Sequence, residues 1–229
     1  MEYRTVLCSL LPFVHSKANS QKSADVSLQP ASQNARKLGF DGGAALFPQV
    51  TNNGEECHSE WEITFEEIHR NNIIVYAIIQ HASITGSIDY ILQYGLEVMI
   101  AISRFWSQRT TFSQARQQYF ILGVTGPDEY QNNVDNNWYT NFSCIRCLKM
   151  TLKHLDLAAQ QYPEEYKRIC AATHFDYEGE TPLWRDIIEH MYLPQDAEKG
   201  IFVQNDGFMD KVLQTTDAIP QAERPINQH

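Results

Sequence analysis

Between Ser87 and Arg109 the chain reads SIDYILQYGLEVMIAISRFWSQR. Ile91, Leu92, Leu96, Met99, Ile100 and Ile102 fall on several faces of the helix that this spacing predicts. A helix that is apolar nearly all round has to be buried on most sides, so it belongs at the centre of a helical assembly. Upstream, EITFEEIHRNNIIVYAIIQHASITG repeats its apolar residues at helical spacing and stops at Gly86. PASQNARKL predicts a short helix that ends at Gly39, the usual residue just past a helix C-terminus.

Downstream, Trp138 to Gln161 predicts a third long helix. Pro163 and Pro182 each suit a first helical turn, and Thr181 is able to cap the second. YFILGV and GIFVQ are the only plausible strands, so the fold class is all-α. Helices joined by modest loops imply a bundle or a two-layered helical barrel, in which function collects where the loops meet at one end.

Composition narrows the setting. A fold of 229 residues can bury roughly 70% of its unfolded surface, and 43% hydrophobic with 20% charged residues is ordinary globular usage. The net charge of −10, without any Lys/Arg cluster, excludes a nucleic-acid partner. The apolar stretch VLCSLLPFV lacks a separate basic region and is interrupted by Pro12, and no run reaches the ~18 apolar residues of a membrane span. These features, with an odd count of five cysteines, predict a reduced, cytoplasmic, membrane-free protein. Cys144 and Cys147 form a C-x-x-C inside a predicted helix, where plain packing is the expectation, and the N-F-S acceptor at Asn141 is discounted for the same compartment. Residues Ser16 to Gln29 are polar and aperiodic, so residues 1–27 read as a flexible lead and 28–229 as the ordered domain.

One junction gathers hydrogen-bonding groups, TGPDEYQNNVDNNWYTN, from Thr125 to Asn141. Gly126 and Pro127 predict a turn that presents Asp128 and Glu129 on a constrained backbone. On an extended backbone adjacent side chains point to opposite sides, so one carboxyl faces a pocket and the other the scaffold. Tyr130, Trp138 and Tyr139 offer apolar surface able to keep a glutamic acid protonated near neutral pH, and the asparagines offer donors and acceptors that match sugar hydroxyls. The same residues also suit an ordinary loop, with Asn136 or Asn137 capping the helix that follows.

A second cluster, NNGEECHSEWEITFEEIH, holds six glutamates beside Trp61, including Glu62. An indole next to a carboxylate is a platform for a sugar ring, and it is equally a core tryptophan. His58 and His69 lack the i, i+4 spacing of a zinc helix, so no metal is expected.

GVTGPDEYQNNVDNNWYTN, LGFDGGAALFPQVTNNGEECHSEWEITFEEIHRN and YGLEVMIAISRFWSQR together resemble glycoside hydrolase family 65, most closely its maltose-cleaving branch. The resemblance runs from about Leu28 to the end of the chain. It implies an (α/α)6 barrel and inverting phosphorolysis of an α-linked glucose disaccharide such as maltose, giving β-glucose 1-phosphate and glucose. It also implies that Glu129 is the general acid, that Trp61 and Glu62 line the sugar site, and that inorganic phosphate is a co-substrate with no cofactor or metal. The implied partners are the disaccharide and phosphate, with a homodimer possible in a full-length protein. Gln131 stands where many members have His or Glu, which leaves trehalose and kojibiose as alternative substrates. The upstream β-sandwich, an F-W-D-T-E-like glucose-gripping segment and a downstream K-Q-containing phosphate region have no counterpart, so an incomplete barrel is expected. That expectation leaves a non-catalytic, at most sugar-binding remnant as the rival.

Overall fold

The computed structural model describes residues 22–51, 56–57, 62–212 and 214–224; Trp61 and His58 lie outside them. The helix α1 (Lys22–Lys37) starts earlier than the sequence predicts and carries Pro30 in its interior. Ala31 and Ala35 are fully buried and the Leu46 amide donates to the Ala31 carbonyl (2.9 Å), so tertiary contact holds a helix that propensity alone would begin at the proline.

The long helix predicted from Glu62 to Gly86 is broken. A single turn, α2 (Ile63–Glu66), leads to a corner at Glu67–His69, and α3 (Arg70–Thr85) follows. The cause is Arg70, whose guanidinium is buried and donates to the carbonyls of Phe47 (2.6 Å), Thr64 (2.6 Å) and Glu67 (2.9 Å). Those bonds satisfy carbonyls at the corner and fix it.

A π-helical turn, Ile91–Gly95, runs into α4 (Leu96–Arg109). Gly95 is there for space: a Cβ on it would lie 2.6 Å from the Ile78 side chain of α3. Leu96, Met99, Ile100, Ile102, Phe105 and Trp106 have no accessible surface, which places α4 at the centre as the sequence requires. Around it pack α1, α3, α5 (Trp138–Gln161), α6 (Pro163–Thr173) and α7 (Tyr177–His190). Ser103 of α4 and Thr151 of α5 close a buried hydroxyl pair at 2.9 Å, and Cys144 and Cys147 are buried in the same seam with both thiols pushed up by burial.

Pro163 occupies the first turn of α6 as predicted, but Pro182 does not start α7. That helix begins a turn earlier at Tyr177, because Glu180 is tied back to the Asp176 amide (3.2 Å) and held by Arg104 of α4 (2.6 and 2.7 Å). Thr181 is consequently a buried helix-interior residue and not a cap.

Both predicted strands exist as short pieces whose partners the sequence did not reveal. β2 (Gln118–Phe120) pairs antiparallel with β1 (Thr111–Ser113), and β4 (Ile201–Phe202) with β3 (Gln195–Asp196). The fold is therefore predominantly helical with no closed sheet among the described residues, an incomplete α/α barrel. No described helix is long and apolar enough to cross a membrane.

Candidate active site

The junction singled out in the sequence is the loop between β2 and α5, and its base is closed by a two-way backbone bridge between Val124 and Val134 (2.9 Å each way). Glu66 hooks both ends of the enclosed segment. Its carboxylate accepts from the Thr125 hydroxyl (2.6 Å) and the Asn133 amide (2.9 Å), while its carbonyl accepts from the Thr125 amide (3.2 Å). The α2–α3 corner and the loop thus form one hydrogen-bonded unit.

The asparagines serve the loop itself. Asn133 and Asn136 adopt left-handed backbone (φ 46° and 53°), which Asn tolerates better than most residues. Asn136 is buried, accepts from the Ile121 amide (3.2 Å) and donates to Asp206 (2.7 Å). Asn137 caps α5 by accepting from the Thr140 amide (3.0 Å). Asn141 is fully buried and donates to the Tyr192 carbonyl (2.8 Å), so it is closed to glycosylation. Of the two readings the sequence left open, loop architecture accounts for the side chains of Asn136, Asn137 and Asn141 and for the backbone of Asn133.

Gly126 is required for room and not for its φ. A Cβ there would come within 2.2 Å of the Asn137 amide that caps α5. Gly126→Ala is expected to cost about 1–3 kcal/mol through the displaced cap and overpacking, read as a lowered urea midpoint with unchanged slope.

Asp128 faces the scaffold: its carboxylate accepts from the Tyr130 amide (3.2 Å) and from Gln204 (2.8 Å). Glu129 is exposed, and its carboxyl lies close enough to that of Glu67 at the corner to act on it. The aromatic shield expected over Glu129 is not present among the described residues. Tyr130 is 66% exposed, Trp138 stacks on Phe142 and Phe202, and Tyr139 meets His69 edge-on. Desolvation falls instead on Glu67, which is 4% exposed and pushed up to about 7 by burial and by the neighbouring Glu129 carboxylate. The Gln49 amide donates to the other side of Glu67, and Arg70 lies beside it. In the sequence Glu66 and Glu67 read as a pair of acids that complement the dipole at a helix start, and nothing there marks Glu67 as the buried one.

His69 is buried and is pushed down to about 4 by burial and by Arg70, so it is neutral at pH 7. Glu62 is exposed ahead of α2 and contributes a carbonyl to the Phe65 amide (2.8 Å). Trp61 is outside the described residues. Among the described residues no group of three His, Cys, Asp or Glu side chains is placed to hold a metal.

The two titrating groups at the corner oppose each other. Glu67, raised from 4.5 to about 7, contributes stability that is full below 4.5 and lost as pH rises through 7. His69, lowered from 6.5 to about 4, contributes stability that is full above 6.5 and lost as pH falls through 4. Between 4.5 and 6.5 the slopes cancel in part. Glu67→Gln leaves His69 unopposed, so the variant's urea midpoint is expected to climb with pH across that window more steeply than the parent's.

The model of the glycosyl hydrolase family 65 central catalytic domain matches residues 22–229. Maltose phosphorylase of Bacillus subtilis (strain 168) is 50% identical over 203 residues, covering 88% of this chain and 25% of that protein. Alpha,alpha-trehalose phosphorylase of Thermoanaerobacter brockii is 32% identical over 203 residues, covering 88% of this chain and 26% of its own. A solved structure described as a kojibiose phosphorylase from human microbiome superimposes with a TM-score of 0.77 at 29% identity, over 88% of this chain and 29% of that one. The chain spans about a quarter of the length of the curated relatives it matches.

Proposed function

The chain belongs to glycoside hydrolase family 65, and on that premise we propose that it contributes the general acid of an inverting disaccharide phosphorylase, with Glu129 as that acid and maltose as the disaccharide. The observation that carries the proposal is the presentation of Glu129 on a loop braced at both ends by Glu66, with its carboxyl against a buried partner. Inverting hydrolysis needs a second carboxylate to activate water; phosphate brings its own negative charge and attacks the anomeric carbon directly. One proton donor to the bridging oxygen is then sufficient. Asp128, engaged by Gln204 and the loop backbone, is left out of the chemistry. Trp61 and Glu62 are proposed to line the sugar site, by their match to the family's W-E pair. Maltose is preferred over trehalose because identity to the maltose enzyme is 50% against 32%.

The test is a chimera in which this chain replaces the matched quarter of the Bacillus subtilis maltose phosphorylase. Phosphate-dependent release of glucose 1-phosphate from maltose is expected; a folded chimera without it overturns the proposal. A second reading, that the chain alone binds sugar without turning it over, is favoured by one observation: both Glu129 and Tyr130 are exposed, so the described residues do not enclose a sugar over the acid. Incubating the chain alone with maltose and phosphate separates the two, since product formation excludes the second.

A further inference from the structure

The single turn α2 stands between two parts of the proposed site, and Glu66 at its end is bonded to both. Its amide donates to the Glu62 carbonyl (3.1 Å), which closes the turn that carries the residue proposed to line the sugar site. Its side chain crosses to the loop that carries Glu129. There one oxygen, Oε2, accepts both the Thr125 hydroxyl (2.6 Å) and the Asn133 amide (2.9 Å). Thr125 and Asn133 are eight residues apart, and the Asn133 amide also lies 3.4 Å from the Thr125 hydroxyl, so the two ends of the loop converge on that oxygen. Thr125 is buried and its amide donates to the Glu66 carbonyl (3.2 Å), so backbone and side chain of one residue pin the loop's entry.

Resting on the assignment of Glu129 as general acid and of Glu62 to the sugar site, we infer that Glu66 is a positioning residue: its Oε2 sets the register between the sugar-lining turn and the loop that presents the acid. A proton donor displaced by about 1 Å from the reacting oxygen loses rate on the order of 100-fold, so a single contact that places the whole loop is a kinetic determinant. The two donors on Oε2 are a hydroxyl and a backbone amide, both neutral. An amide oxygen of the same reach satisfies them as well as a carboxylate does, whereas an aspartate is one methylene too short. What the role requires is therefore the place of the oxygen and not its charge. A carboxylate acting as a base would show the opposite dependence, tolerating aspartate better than glutamine.

In the phosphorylase chimera, Glu66→Ala and Glu66→Asp are each expected to lower kcat for phosphate-dependent maltose cleavage by ~10- to 100-fold, with KM changed far less. The split follows because the bond from the Glu66 amide to the Glu62 carbonyl survives both changes, so the acid shifts and the sugar-lining turn stays. Glu66→Gln is expected to restore most of the loss. On the full chain, hydrogen exchange at the Asn133 amide should quicken in the alanine and aspartate variants and not in the glutamine one. Glu66→Gln as slow as Glu66→Ala, or Glu66→Asp at the parent's rate, overturns the inference. Thr125→Val removes one donor from the same oxygen and leaves Glu66 and the backbone bond in place, so it carries the test even if Glu66→Ala does not fold. A smaller kcat loss, ~3- to 10-fold, is expected there, and an unchanged kcat counts against the inference. Glu66→Ala added to Glu129→Gln should cost little more, since no proton is left to aim. A full further loss there overturns the positioning role and leaves the acid assigned, whereas retained turnover in Glu129→Gln alone defeats the assignment of the acid, so the two failures are distinguishable.

Discussion

Glu129→Gln, placed in the phosphorylase chimera, is expected to lower kcat for phosphate-dependent maltose cleavage by ~100- to 10,000-fold, with KM changed far less. General acid catalysis contributes on that scale, and a glutamine of nearly the same shape keeps the loop while removing the proton. The split matters because Glu129 would act on the leaving oxygen only as the bond breaks. Its loop is held by Glu66 through Thr125 and Asn133 and by the Val124–Val134 bridge, none of which involves the Glu129 side chain. A loss expressed mainly in KM would instead mean that the residue binds sugar, and unchanged turnover would remove it from the mechanism. Steady-state rates with maltose at saturating phosphate, alongside a far-ultraviolet spectrum to confirm the fold, decide among these.

Arg104→Ala is expected to destabilise the chain by about 3–5 kcal/mol, the largest effect predicted for a residue remote from the site. Arg104 lies on the central helix α4 and is 9% exposed. Its guanidinium binds Glu180 in a two-pronged pair (2.6 and 2.7 Å) and donates to the carbonyls of Thr173 (2.9 Å) and His174 (3.3 Å) at the end of α6. It also lies against Gly43, where φ is +82° and a Cβ would come within 2.6 Å of Nη1, so no side chain fits. Removing the arginine leaves Glu180 half-buried without its cation and two carbonyls without their donor. The urea midpoint reads the loss. Because Glu180 also holds the first turn of α7 ahead of Pro182, Glu180→Ala should reproduce much of it, and the double variant should fall well short of the sum.

How far the sequence carried can be judged from particular residues. The apolar positions from Ile91 to Ile102 dictated a buried central helix, and α4 lies at the centre with those side chains inaccessible. Pro163 marked the start of α6, where a missing N–H costs nothing. Pro182 misled for a tertiary reason, the Arg104–Glu180 pair that extends α7 over it. The segment GPDEY drew notice in the sequence as a turn presenting two acids, and Asp128 and Glu129 do diverge, one to Gln204 and one to Glu67.

The sequence by itself determined the helical class, the buried centre and the loop that carries Glu129, because apolar periodicity and turn chemistry act between neighbours in the chain. The break at Glu67 was decided only in three dimensions. It depends on Arg70 reaching the Phe47 carbonyl, 23 residues away, and on Gln49 and Glu129 converging on one carboxyl from either side of the chain. A proton's preferred site follows from burial and nearby charge, and neither exists until the elements are packed.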